Sequence, residues 1–299
     1  MHAVFRLDSG FLELVAPEAG VEERRAIAAY ADSCFAHWAE VYAKFRGRDG
    51  AEARILALGK DLYTWLDGDE RWLERLLAAA VPPLVVEFQV LAAPDDLRKS
   101  FLQVPWELLA GETDYLATDI VQLFCPVRRV GKIEKPEKPD DSCFGLTFMA
   151  AAPRGVVELD YGVEENAILD AVGTLGLDLL VEESGNPNLL ADRLAELSNR
   201  GSMQTLYLSC HGESDPKPVL LLKDEEGNRL ETGPNELVRL LSSPRPRLVF
   251  LSACQTAAAG AVADPLAMML VRAGVSAVLG WDGQAALDAG ARPWAQGLS

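Results

Sequence analysis

Apolar and polar positions along the chain follow two styles, separated by a stretch with no apolar periodicity. In residues 22–45, Ala26, Ile27, Tyr30, Cys34, Trp38, Val41 and Phe45 recur at helical spacing and predict a half-buried helix. Leu62, Trp65, Trp72 and Leu76 predict a second helix over residues 62–79. Two β-rich runs, Leu84-Val85-Val86-Glu87-Phe88-Gln89-Val90 and Ile120-Val121-Gln122-Leu123-Phe124, read as strands flanking Val104-Pro105-Trp106-Glu107-Leu108-Leu109. Residues 131–141, Gly-Lys-Ile-Glu-Lys-Pro-Glu-Lys-Pro-Asp-Asp, have the composition of a linker.

Beyond residue 141 strands and helices alternate. Strands are expected at 144–150, 177–181, 205–210, 247–251 and 276–280. Helices are expected at 163–175, 189–197 with Asn188 as its cap, 235–241 and 265–273. Two short apolar runs flank Asp224-Glu225-Glu226-Gly227-Asn228, a hairpin with a solvated tip. Continuous apolar strands separated by helices predict an α/β fold, a mostly parallel sheet with helices on both faces. An α+β N-terminal region, 1–130, precedes it, with the linker at 131–141 and the α/β domain at 142–299. Pro105-Trp106 and Leu108-Leu109 are too apolar to stay in water, so 1–130 is expected to pack on that domain.

Composition removes several classes of function. Of 299 residues 49% are apolar, enough for full cores, and the net charge of −17 repels phosphate backbones. Nucleic acid is therefore not expected as a direct ligand. Five cysteines are too few for a disulfide framework and read as thiols of a reducing, cytoplasmic compartment. No basic and apolar leader opens the chain, and the longest nearly apolar stretch, 76–86, holds Pro82-Pro83, so no membrane partner is expected. No cofactor or metal is called for: glycine-rich phosphate loops are absent, and Cys34, Cys125 and Cys143 lack ligand spacing.

Reactive side chains stand at two predicted strand ends, Ser209-Cys210-His211-Gly212 and Leu251-Ser252-Ala253-Cys254-Gln255-Thr256. In doubly wound sheets chemistry collects at the carboxyl ends of strands. A strand-end Cys taken alone fills a core far more often than it reacts. Here, however, the chain has three histidines, and the only one in the α/β half stands at such an end. If the two strands are neighbours, His211 can draw the Cys254 thiol toward thiolate and later protonate a leaving amine. Gly212 permits a tight turn after His211, and its N–H with that of Cys254 would form an oxyanion hole. Cys210 is expected to point into the core instead.

These motifs in order, followed by a helix and Ala273-Gly274-Val275-Ser276-Ala277-Val278-Leu279-Gly280-Trp281, resemble the CHAT domain, a caspase-like cysteine peptidase family with separase and gingipain as relatives. His211 and Cys254 are 43 residues apart, near the roughly 50 of the caspase signature. Val104-Pro105-Trp106-Glu107-Leu108-Leu109 and Cys125-Pro126-Val127-Arg128-Arg129 resemble segments that precede the catalytic core in CHAT proteins. The resemblance implies a caspase-like fold and a metal-free endopeptidase that cuts protein substrates with His211 and Cys254. It also implies latency until a regulatory protein, effector or processing event activates it, in defence or signalling.

Departures from the pattern bear on specificity. Caspases have Gln two residues before the nucleophile and this chain has Ser252, so an Asp-selective pocket does not carry over. Pocket candidates are Ser252, Trp281, Arg154, Asp215 and Asp282, with Asp282 the acid expected to favour Lys or Arg before the cut bond. Family members continue past the strand holding Val278; residues 285–298 look like the start of that continuation, so the catalytic domain is expected to be incomplete. Two other functions compete, a non-catalytic CHAT-like scaffold and a small-molecule-binding α/β domain.

Overall fold

A computed structural model describes residues 1–28, 31–46, 48–91, 95–131, 144–156, 161–173, 177–200, 203–213, 217–253 and 266–281. The chain divides into two compact units, Met1–Pro136 and Glu137–Ser299. The predicted linker from residue 132 onward and the helix start at 285–298 fall outside the described residues.

The first unit runs β1 (His2–Asp8), β2 (Phe11–Ala16), β3 (Val21–Ala26), α1 (Ala31–Phe45), α2 (Glu52–Asp67), α3 (Trp72–Ala79), β4 (Leu84–Val90), α4 (Asp96–Gln103) and β5 (Phe124–Val130). Its sheet has the order β3-β2-β1-β4-β5, with β4 parallel to both β1 and β5. Ser9 and Gly10 both have positive φ, 43° and 85°, the two-residue turn that matches the twist of a hairpin. The expected helix over 22–45 is corrected at its start. Val21–Ala26 pairs antiparallel with β2 as an edge strand whose charged residues alternate outward, and the helix begins only at Ala31.

The expected helix over 62–79 is two helices. Gly68, at φ 60°, ends α2, and the Arg25 guanidinium takes the carbonyls left open there, Trp65 at 2.5 Å, Leu66 at 3.0 Å and Asp67 at 3.2 Å. The strand expected at 120–124 is also corrected. Ile120 and Val121 lie in a turn, 87% and 73% exposed, and β5 starts at Phe124 and runs through Pro126. Pro is tolerated there because β5 is an edge strand. Phe5, Phe35, Phe88, Phe101 and Trp106 fill the core, with Trp106 stacked on Phe88 at 4.2 Å and its indole N–H on the Phe101 carbonyl at 2.9 Å.

The second unit runs β6 (Phe144–Ala151), α5 (Tyr161–Gly173), β7 (Asp178–Glu182), α6 (Pro187–Asn199), β8 (Met203–Glu213), β9 (Val219–Lys223), β10 (Arg229–Thr232), α7 (Pro234–Leu240), β11 (Leu248–Ser252), α8 (Leu266–Arg272) and β12 (Ala277–Gly280). Five strands are parallel in the order β7-β6-β8-β11-β12. The β9–β10 hairpin adds to the far end of β8 in antiparallel fashion. This is the expected α/β architecture. One face of the sheet is dry: Met149, Ala151, Leu206, Leu208, Cys210, Val249 and Leu251 pack with Leu190 and Leu194 of α6, Leu237 of α7, and Leu266 and Leu270 of α8. The cap of α6 is Asn186, not Asn188, whose backbone N–H donates to the Asn186 side chain at 2.8 Å; Pro187 follows at the first helical position.

Trp106 joins the sheet of the first unit to its helices, and truncating it leaves a hole lined by rings. Trp106→Ala should destabilise that unit by about 3–5 kcal/mol, and Trp106→Phe by less, measured by urea unfolding.

Candidate active site

The site rests on β8. Residues 205–209 of this strand are sandwiched between β6 and β11, with Ser209 opposite Ala150 on one side and Ser252 on the other. Alternation then sends Leu206, Leu208 and Cys210 into the dry core and Tyr207, Ser209 and His211 to the opposite face. On that face Tyr207 lies between Phe148 and Phe250, ring centroids 5.6 and 4.6 Å away. One level further Ser209 and Ser252 stand side by side. His211 comes next, half-buried, opposite Leu221 of β9.

Above this face sits α5. Its Tyr161 hydroxyl donates to the Ala151 carbonyl at 2.6 Å, holding the first turn over the end of β6. Glu164, in that turn, accepts three hydroxyl protons: from Tyr207, from Ser209 at 2.5 Å and from Ser252 at 2.8 Å. One carboxylate thus ties a helix to two neighbouring strands. Burial, and then the Glu164 charge beside it, push the Tyr207 phenol well above the ordinary tyrosine range. Glu164 escaped the sequence reading because a glutamate in a first helical turn ordinarily faces water. The available signal was the same-face spacing of Tyr207, Ser209 and Ser252 on apolar strands.

Other residues singled out from sequence fall as follows. Ser252 ends β11 and is part of the Glu164 cluster. Gly212 is not in a turn: the returning hairpin pairs with residues 211–213, so β8 continues through Glu213 and Gly212 sits opposite Leu220. Arg154 is exposed and its N–H donates to the Gly227 carbonyl at 3.1 Å, which places it against the hairpin tip. Trp281 directly follows β12 and is half-buried. Cys210 is 2% exposed, in the core as expected. Cys254, Asp215 and Asp282 lie outside the described residues.

Among the described residues no three His, Cys, Asp or Glu side chains are grouped to hold a metal, and no helix is long and apolar enough to cross a membrane. In open α/β sheets ligands bind outside the carboxyl ends of the strands, and there this sheet carries hydroxyls, an acid and an imidazole. The CHAT domain family model matches residues 56–285, more than half of the chain, from within α2 to beyond β12. The chain belongs to the CHAT domain family, which is related to the caspase-like cysteine peptidases. No curated protein shows significant sequence similarity to it.

The displaced phenol gives a direct check. An ordinary tyrosine ionises near pH 10, and Tyr207 in the folded protein should not. Alkaline difference titration of phenolate absorbance should give the same curve for the wild type and Tyr207→Phe through about pH 11. The unfolded chain ionises this group first. Its contribution to stability is therefore full below about pH 10 and is lost as pH climbs toward the folded value.

Proposed function

We propose that the chain is a cysteine endopeptidase that cuts protein substrates with His211 as base and acid and Cys254 as nucleophile. The observation that supports this most is the register of β8 and β11. Ser209 is paired with Ser252 on parallel neighbours, His211 follows two residues after the first, and Cys254 follows two residues after the second. Equal offsets on neighbouring parallel strands favour a thiol and an imidazole at one level of one sheet edge.

In the proposed reaction His211 takes the thiol proton as sulfur attacks the scissile carbonyl carbon. The oxyanion is met by backbone N–H groups, with those of Gly212 and Cys254 as candidates. Collapse of the adduct breaks the C–N bond, and the imidazolium gives its proton to the departing amine. Water then attacks the thioester with His211 again as base, and the second product leaves as a carboxylic acid. Ser252 and Trp281 are the pocket residues that best fit this edge, at the ends of β11 and β12. Family membership further supports a latent enzyme, switched on by a regulatory protein, an effector or processing.

Labelling with a peptidyl acyloxymethyl ketone followed by mass spectrometry tests the dyad without needing turnover. The adduct should map to Cys254 and disappear in His211→Ala, while the fold is unchanged by circular dichroism. Under activating conditions Cys254→Ala should lower peptide cleavage by on the order of 10⁴-fold or more. Labelling at another cysteine, or cleavage that survives Cys254→Ala, would remove the assignment and leave the scaffold function as the better reading.

A further inference from the structure

Glu164 differs from several partly buried acids among the described residues, which have a cation beside them. Glu87 has Arg129 at 2.5 Å and His2 at 3.2 Å, Glu13 has Arg6 at 3.4 Å and Arg24 at 3.7 Å, and Glu23 has Arg75 at 2.5 Å. Glu164 is half-buried, and its partners among the described residues are three neutral hydroxyls, those of Tyr207, Ser209 and Ser252. A negative charge withdrawn from water without a countercharge is costly, and a cation brought beside it recovers that cost.

The kind of partner matters as much as the missing charge. Glu182 also has no cation beside it, but it is held by the N–H groups of Ser184 and Gly185 and by the Ser184 hydroxyl, a cap closed within its own loop. Hydroxyls differ from N–H groups in that each donates one proton and keeps lone pairs that accept. With their protons turned to Glu164, Tyr207, Ser209 and Ser252 ring the carboxylate with oxygens able to receive further N–H donors. A ring of acceptors around an uncompensated carboxylate fits an ammonium or guanidinium group.

Position gives this cation its source. Ser209 lies two residues before His211 on β8, about 7 Å at the rise of a strand. A short side chain anchored at the level of His211 does not cover that distance, whereas Lys and Arg do. We infer that Glu164, ringed by Tyr207, Ser209 and Ser252, is the specificity-determining residue that receives a Lys or Arg side chain of the substrate beside the cleaved bond. The inference rests on the peptidase reading for the words "cleaved bond" alone; the cation site stands on the geometry of α5, β8 and β11. It moves the selecting acid from Asp282, expected from sequence, to a residue 118 positions earlier in the chain.

The test uses the full chain carrying Cys254→Ala and fluorescent peptide amides that differ only in their last residue: Arg, Lys, norleucine or Glu. Fluorescence anisotropy should show Arg and Lys peptides binding about tenfold or more tighter than norleucine. Adding Glu164→Gln, which keeps one acceptor oxygen for the hydroxyls, should erase that gap while circular dichroism shows the fold retained at the assay temperature. Glu164→Asp should retain a reduced gap, and Asp282→Asn the full one. Equal affinity for all peptides, no binding of any, or a gap that survives Glu164→Gln would overturn the inference, as would an equal loss for every peptide. Cleavage by the unmutated chain separates the two readings. A basic preference in binding with no Cys254-dependent cleavage defeats the peptidase and leaves Glu164 in place. Cleavage with no basic preference does the reverse.

Discussion

The register of β8 between β6 and β11 is the constraint on which the second unit depends. Side chains on a strand alternate faces, so a slip of one residue would exchange everything β8 carries. Leu206, Leu208 and Cys210 would leave the leucine core formed with α6, α7 and α8, and Ser209 would enter it without a partner. Three kinds of neighbour hold the register: parallel ladders on both sides, apolar packing on one face, and the Glu164 hydroxyl bonds on the other. Hydrogen bonds to a charged acceptor contribute about 1.5–3 kcal/mol each, so losing this register would be costly.

The face opposite the core changes character along β8, and that gradient makes a site there. Tyr207 between Phe148 and Phe250 is aromatic and largely dry, the Ser209–Ser252 pair is polar, and His211 lies where the hairpin joins. Burial and the neighbouring charge keep the Tyr207 phenol protonated, so it donates to Glu164 and does not compete with it as an anion. Long-range contacts build all of this. Glu164 is 43 residues from Tyr207 and 88 from Ser252.

Much of the second unit could be read from the chain because its strands are continuous apolar runs and its helices are periodic. All five parallel strands were expected, and β8 was underestimated by two residues at its start and beyond Cys210, where pairing with β9 extends it. The first unit was harder for physical reasons. Val21–Ala26 carries charges on both faces of an edge strand, which hides its alternation, and Ala26 and Ile27 happen to extend the period of α1 backward. Two helices looked like one because the break at Gly68 is secured by Arg25, from a distant strand. Ile120 and Val121 have strand propensity but nothing to pair with, while Pro126 hid a real edge strand. The hairpin of β1 and β2 was missed although Ser9-Gly10 between alternating apolar residues announces it. At the site, His211 and Ser252 were legible as strand-end residues. Glu164 was not, since neither its type nor its helix position separates it from a solvated acid.

That difference separates two ways in which residues of the candidate site are encoded. His211 and Ser252 lie on central strands, whose apolar character betrays them in sequence. Glu164 comes from α5, a helix with no fully buried residue, which meets the sheet through the Tyr161 hydroxyl and the Glu164 carboxylate. Polar ties of this kind are less demanding than an interdigitated leucine core, because a different side chain in the first turn would give up the hydroxyl bonds while the ladders and the leucine core remain. The dry face with α6, α7 and α8 sets the fold, and the α5 face adds polar bonds that can vary without disturbing that core. A change of one residue in that turn can therefore alter the charge offered at the strand ends while the sheet beneath it stays the same.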